Sequence, residues 1–200
     1  MVTASWGQVE ENKTVNSFRF KATPGALDTL KISGERVILM PVSEQFADDI
    51  FREFTAEITR FMMPPPASDI SETLEFIQRS QESLARAEEL VFAITDQQGT
   101  FLGCAGLHAR ELRTPELGIW IKKSAHGQCL GREAIRCLHA WASQHLIVDH
   151  FVYPVDKKNT ASRRIAESLG GTVIKEQEVL SLSGNLLDEV VYRIPPRTYA

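Results

Sequence analysis

Cysteine is scarce. Cys104, Cys129 and Cys137 are the only three in 200 residues, an odd number without the paired spacing of a zinc site. A disulfide framework is therefore excluded, and thiols kept in a reducing compartment are expected. Long apolar runs are missing too: no stretch approaches the roughly eighteen residues of a membrane span. Residues 1–15 lack the basic-then-apolar pattern of a secretory leader. Positive charge is not in excess either. Lys and Arg number 22 against 26 Asp and Glu, a net charge of −4, so the footprint of a general nucleic-acid binder is absent. These absences read as a cytoplasmic protein with no membrane and no direct nucleic-acid partner.

What is present is ordinary globular material, 43% hydrophobic and 24% charged, in a length that suits one core. Residues 1–30 are polar and irregular, with a turn at Pro24-Gly25, and read as an N-terminal extension that either folds over the domain or stays mobile. Residues 31–200 read as a single domain. A strand is expected at 35–40, closed by Pro41. Ser43 then caps a helix carrying Phe46, Ile50 and Phe54 on one face. Pro64-Pro65-Pro66 forces an extended loop. Asp69 with Glu72 reads as a capping box for a helix whose buried stripe is Ile70, Leu74, Ile77 and Leu84. Residues 90–95 and 101–108 form a hairpin, and 116–121 a further strand. After a long helix come a strand at 151–155, a helix at 159–168 ended by Gly170-Gly171, and strands at 172–181 and 188–194. The order β-α-α-β-β-β-α-β-α-β-β is an α+β domain around a mixed, mostly antiparallel sheet flanked by helices.

The most informative stretch is residues 124–134, between the strand Glu116-Leu117-Gly118-Ile119-Trp120-Ile121 and the long helix. Apolar residues at Leu130, Ala134, Leu138, Trp141 and Ala142 have helical spacing. A strand-to-helix junction with glycines at 127 and 131 aims unpaired N–H groups and the positive end of a helix dipole at one point. An anion, above all a phosphate, suits that point. The plainer alternative is that Gly131 only opens a helix and nothing binds.

The junction reads His126-Gly127-Gln128-Cys129-Leu130-Gly131-Arg132, and the later helix reads Asn159-Thr160-Ala161-Ser162 through Leu169-Gly170-Gly171. In order and spacing these resemble the two motifs of the GNAT superfamily of acetyl-CoA-dependent N-acetyltransferases, over residues 30–194. The second segment, the strand at 116–121 and Ile58-Thr59-Arg60-Phe61-Met62 are similar to the Rim-type branch, which acetylates ribosomal-protein N-termini. The chain departs from the pattern at His126, in place of the usual Arg or Gln, and at Cys129, in place of the first glycine. Gly171 stands where the branch has an aromatic. Ala166 stands where many of these enzymes carry a tyrosine acid.

The resemblance implies the GNAT fold and an acyltransferase that uses acetyl-CoA as co-substrate, without a metal. It implies that the backbone of residues 126–132 cradles the coenzyme pyrophosphate, and that Ile119, Trp120 and Ile121 pair with its pantetheine arm. It implies too that Asn159 and Ser162 contact the coenzyme. Direct transfer needs a base for the amine and a proton for the thiolate. Glu116 is the leading base candidate, against its reading as a solvated strand-end carboxylate, and His108 is the second. Ser162 is the candidate donor to sulfur, against its reading as a small packed residue. Arg163-Arg164 reads as a solvated face or as a reach toward the coenzyme 3′-phosphate. The loop at 61–67 reads as the acceptor wall. A protein or peptide N-terminal amine is the favoured acceptor. A small amine (amino acid, polyamine or toxin) and a non-catalytic acyl-CoA-binding or regulatory domain remain open, as does the choice between monomer and homodimer.

Overall fold

A computed structural model describes residues 17–198 of the chain. Eight strands form one sheet: β1 (Ile32–Ser33), β2 (Val37–Pro41), β3 (Glu89–Asp96), β4 (Phe101–His108), β5 (Glu116–Ile121), β6 (Phe151–Asp156), β7 (Thr172–Leu180) and β8 (Leu186–Ile194). Four α-helices accompany them: α1 (Ala47–Glu53), α2 (Ile70–Ala85), α3 (Leu130–His145) and α4 (Thr160–Ser168). The strand order is β1-β2-β3-β4-β5-β6-β8-β7. Every neighbouring pair is antiparallel except β5–β6, which is parallel. The expected order of elements holds, with β1 as a short addition that two residues could not announce.

Alternation along the strands sorts the core onto two faces. Leu90, Phe92 and Ile94 of β3 and Tyr153 and Val155 of β6 pack with Ala134, Ile135 and Leu138 of α3. Val91 and Ala93 of β3 and Trp120 of β5 pack instead with Ile50 of α1 and Phe76 and Ile77 of α2. Phe54, Trp120 and Phe101 form a tilted aromatic row with ring centroids 5.0 and 5.7 Å apart. Strand β3 is thus buried on both faces, which is why its sequence is continuously apolar.

Local chemistry explains most element ends. Asp69 accepts from the Ser71 N–H at 2.8 Å, and Glu72 reaches back to the Ser68 N–H at 3.1 Å, so the expected box closes one residue earlier. Asn159 caps α4 by accepting from the Ser162 N–H at 3.2 Å. Gly170, at φ +78°, ends α4 in the left-handed turn expected there. Two expectations differ. Ser43 makes no capping bond, because a 3-10 turn at Glu44–Phe46 intervenes before α1. The α2 stripe is Thr73, Phe76, Ile77, Ser80 and Leu84; Leu74 faces out with 40% exposure.

Residues 18–30 lie on the domain. Phe18, Phe20, Leu27 and Leu30 pack against the α3 side of the core. The Lys21 N–H donates to the His145 carbonyl and the Ile147 N–H to the Arg19 carbonyl, both at 2.8 Å. Residues 1–16 of the expected extension lie outside the described residues. No helix among those described is long and apolar enough to cross a membrane.

The outward turn of Leu74 yields a direct comparison. Leu138→Ala, at a fully buried position, should cost about 2–5 kcal/mol in denaturant unfolding. Leu74→Ala should stay within about 0.5 kcal/mol.

Candidate coenzyme and acceptor site

The sheet forks where its one parallel pair lies. The β5–β6 register consists of a single pair, Glu116 with Val152, secured by the Val152 N–H donating to the Pro115 carbonyl at 3.0 Å. Beyond it β6 follows β8, from Phe151 to Asp156, while β5 follows β4. The Lys122 N–H donates to Leu102 of β4 at 2.8 Å. By alternation Trp120 and Gly118 also turn their backbones to β4, and Ile119 and Ile121 turn theirs into the fork. Of the three residues expected along the pantetheine arm, Ile119 therefore turns both its N–H and its carbonyl into the fork and Ile121 its N–H, the Ile121 carbonyl being met by His126. Trp120 contributes its ring to the opposite core.

The junction at the mouth of the fork has the shape expected of an anion cradle. A 3-10 turn at Lys123–Ala125 leads to His126, whose Nε2 lies 2.7 Å from the Ile121 carbonyl and ties the loop to the strand end. Gly127 (φ +77°) and Cys129 (φ +60°) are both left-handed. Alternating left- and right-handed residues aim successive N–H groups into one concavity. Cys129 occupies the cap position of α3 without a side-chain capping bond, and the first helical bond is from the Glu133 N–H to the Cys129 carbonyl. The N–H groups of Leu130, Gly131 and Arg132 consequently have no acceptor within the helix. A Cβ on Gly131 would stand 3.2 Å from Ile121, 3.5 Å from Ile119 and 3.6 Å from Ile165. Gly131 thus lets α3, β5 and α4 converge.

An ion pair between a buried carboxylate and an exposed guanidinium holds the cradle from behind. Glu133, 4% exposed, accepts from the Arg36 N–H at 2.6 Å and from Arg36 Nε at 2.9 Å; Arg36 Nη1 donates to the Gln128 carbonyl at 3.0 Å. Burial works to raise the Glu133 carboxyl, but the bonds from Arg36 outweigh it and hold the group below its ordinary range. Sequence reading missed this clamp, because Arg36 and Glu133 are far apart in the chain and neither lies in the motif's fixed positions.

On the other face of the sheet, titratable groups gather at the fork. Glu116 stands at its apex, with Oε2 3.9 Å from Arg110 Nε. His108 is its register partner on β4, and His108 Nδ1 lies 3.1 Å from Glu89 Oε1. Burial pushes the Glu89 carboxyl up, while His108 and Arg110 together bring it below its usual range. Glu189 of β8 is buried and accepts from Gln177 Nε2 at 2.9 Å. Burial raises its carboxyl, and the nearby charges of Glu116 and Asp156 add to the rise. Glu189 also escaped the sequence reading, since a glutamate in a C-terminal strand carries no local signal. The 61–67 loop reaches this face, for the Leu182 N–H of the β7–β8 turn donates to the Met63 carbonyl at 2.9 Å.

On α4, Ser162 Oγ lies 2.8 Å from the hydroxyl of Tyr153, and Asn159 serves the helix as its cap. Arg163 is engaged internally: its Nε donates to the Tyr192 hydroxyl at 3.0 Å. Among the described residues no group of three or more His, Cys, Asp or Glu side chains is arranged to hold a metal ion.

Residues 36–172 match the model of the acetyltransferase (GNAT) domain. The chain belongs to the GNAT acetyltransferase family. It is an acyltransferase that uses acetyl-CoA to acetylate amines, on the expected α+β fold. Solved structures agree on the fold. A RimL ribosomal alpha-N-protein acetyltransferase, held in a complex with coenzyme A through a cysteine disulfide, superposes with a TM-score of 0.76 at 18% identity, over 83% of this chain and 98% of that one. A Salmonella typhimurium acetyltransferase that modifies the N-terminal serine of a ribosomal protein gives 0.74 at 17% identity, over 83% and 99%. The microcin self-immunity acetyltransferase MccE, in complex with acetyl-CoA and AMP, gives 0.70 at 18% identity, over 81% and 93%. No curated protein matches this chain in sequence.

Two outcomes test the local account of the GNAT cradle. The Arg36 bonds depress the Glu133 carboxyl in the folded state, so their stabilisation is full above the ordinary carboxylate range and is lost as pH falls through the folded value. Arg36→Ala should cost about 1–3 kcal/mol at neutral pH, and chemical unfolding of both proteins should show the gap closing in acid. Cys129 holds a left-handed conformation that β-branched residues resist, so Cys129→Val should destabilise by about 1–2 kcal/mol. Cys129→Gly should leave the melting temperature equal or higher.

Proposed function

We propose that this GNAT protein acetylates the N-terminal α-amine of a protein or peptide by direct transfer from acetyl-CoA, in the cytoplasm. The observation that carries the reading is the forked sheet with the uncapped N–H groups of α3 at its mouth. The residues fit the coenzyme: a cradle of backbone donors needs no particular side chain, so His126 and Cys129 are compatible with it. In this reading Gly127, Gln128, Cys129, Leu130, Gly131 and Arg132 hold the pyrophosphate, behind His126. Ile119 and Ile121 hydrogen-bond the pantetheine amides as a neighbouring strand would, flanked by Trp120. Asn159 and Ser162 close the other side. When bound, acetyl-CoA supplies an acetyl group activated as a thioester.

The chain's own residues then have three tasks. Glu116, at the apex of the fork and on the acceptor face, takes the proton of the incoming ammonium. The backbone N–H groups of β5 polarise the carbonyl. Ser162 offers its hydroxyl to the departing sulfur. An α-amine, with a pKa near 7.7–8.0, is partly neutral at physiological pH, whereas a lysine near 10.4 is almost wholly charged. A weak base, or a water relay, therefore suffices for the former. The carboxylates of Glu89, Glu116 and Glu189 favour a cationic amine over an anionic acceptor. The two RimL-like neighbours, which act on ribosomal-protein N-termini, support the α-amine over a small metabolite.

Calorimetry with coenzyme A and thiol release from acetyl-CoA test the reading together. Gly131→Asp should bind coenzyme A at least about tenfold more weakly than the isosteric Gly131→Asn, a 1.4 kcal/mol effect of the added charge alone. Equal affinities would remove the phosphate from the cradle. Peptides with free α-amines should be turned over faster at neutral pH than the same peptides blocked at the N-terminus and bearing a lysine. The reverse order would remove the α-amine.

A further inference from the structure

The contact between Tyr153 and Ser162 has a direction that hydrogen-bond accounting decides. Each hydroxyl carries one hydrogen, and the two oxygens are 2.8 Å apart, so one bond forms and one hydrogen is left over. Tyr153 is 2% exposed, while Ser162 is half-buried. A surplus hydrogen on the phenol would be a buried, unsatisfied donor, which costs free energy that nothing at this position returns. The phenol is therefore the donor and the Ser162 oxygen the acceptor. The spare hydrogen belongs to Ser162.

Its helix sets where that hydrogen points. Ser162 and Ile165 are three residues apart and share a face of α4. Ile165 lies against Gly131 at the start of α3. Ser162 is further fixed by its own N–H, which donates to Asn159 Oδ1. The face that carries the spare hydrogen is thus the one turned to the fork.

We propose that Tyr153 is a positioning residue that orients and polarises the Ser162 hydroxyl as hydrogen-bond donor to the sulfur of coenzyme A. This rests on the acetyl-CoA reading above. In transfer, the C–N bond forms and the C–S bond breaks, with its electron pair going to sulfur. One ammonium proton passes to Glu116 before attack, and the second leaves the nitrogen for water once the C–N bond has formed. Ser162 stabilises the thiolate by a hydrogen bond, and both hydroxyls keep their protons, because a phenol raised to about 12 by burial and an aliphatic hydroxyl are weaker acids than a thiol. The thiolate takes its proton from water. Tyr153 thus supports from strand β6 a site whose helix carries Ala166, buried and unable to donate.

The test reads the coenzyme directly and needs no acceptor. Coenzyme A is titrated in its complex with the protein, and the thiolate is followed by ultraviolet absorbance against the free coenzyme. Tyr153→Phe keeps the ring in the core and should bind coenzyme A with unchanged Kd at pH below the titration of the thiol, where no thiolate is present to be stabilised. Its bound thiol should titrate about half a unit or more higher than in the parent protein, the size of one modest hydrogen bond. Ser162→Ala should raise it at least as far, and the double variant no further than Ser162→Ala alone. A second substitution, Tyr153→fluorotyrosine, makes the phenol a stronger donor and should lower the thiol value, but only when Ser162 is present. An unmoved thiol in Tyr153→Phe, or shifts that add in the double variant, would overturn the proposal while coenzyme binding stands. Loss of coenzyme binding by the unaltered protein would overturn the acetyl-CoA reading itself.

Discussion

The organisation of this protein depends on one backbone constraint. A sheet whose strands part must leave main-chain donors and acceptors unpaired at the parting. Here β5 and β6 share the single pair Glu116–Val152, and β5 then follows β4 while β6 follows β8. The parting turns the backbone of Ile119 and the N–H of Ile121 away from any strand, while His126 meets the Ile121 carbonyl. The cradle at residues 126–132 lies at the mouth of the same fork, because the loop leaves the end of β5 and returns as α3. One topological break therefore sets both the open edge of β5 and the uncapped start of α3 beside each other.

The two faces of the sheet divide the labour. The α3 and α4 face is apolar up to the fork, with Ile119, Ile121 and Ile165 closing around Gly131. The opposite face carries Glu89, His108 and Glu116 in one register row, with Glu189 farther along β8 yet near enough to feel the charge of Glu116. In the proposed reaction, donor and acceptor approach one carbon from opposite sides because the sheet is open there. The Arg36–Glu133 clamp is the structural counterpart: it charges the first turn of α3 with a carboxylate, favourable to the helix dipole, while its guanidinium steadies the cradle loop.

Much of this was legible along the chain. Helical spacing from Leu130 to Ala142, the Asn159 cap and the Gly170 stop each have a local cause, so the elements could be placed before their contacts were known. The site was legible to the extent that it is made of backbone. A strand-to-helix junction with glycines at 127 and 131 could be read from the sequence, and Gly127 is left-handed as such a turn requires. Side chains were harder. Leu74 keeps helical spacing yet faces water, since Phe76 and Ser80 fill the contact with the sheet. Tyr153 reads as one more apolar strand residue until α4 folds over it and brings Ser162 to its hydroxyl.

The amino-acid sequence by itself determined the order of strands and helices, the strand-to-helix junction at 124–134 and the family, because propensity, capping and glycine conformation act over a few residues. Only the tertiary structure decided which β5 amides are turned from β4, that Arg36 locks Glu133, and that Tyr153 meets Ser162. Those depend on pairing and burial between residues distant in the chain, and a one-dimensional pattern carries no distance between them.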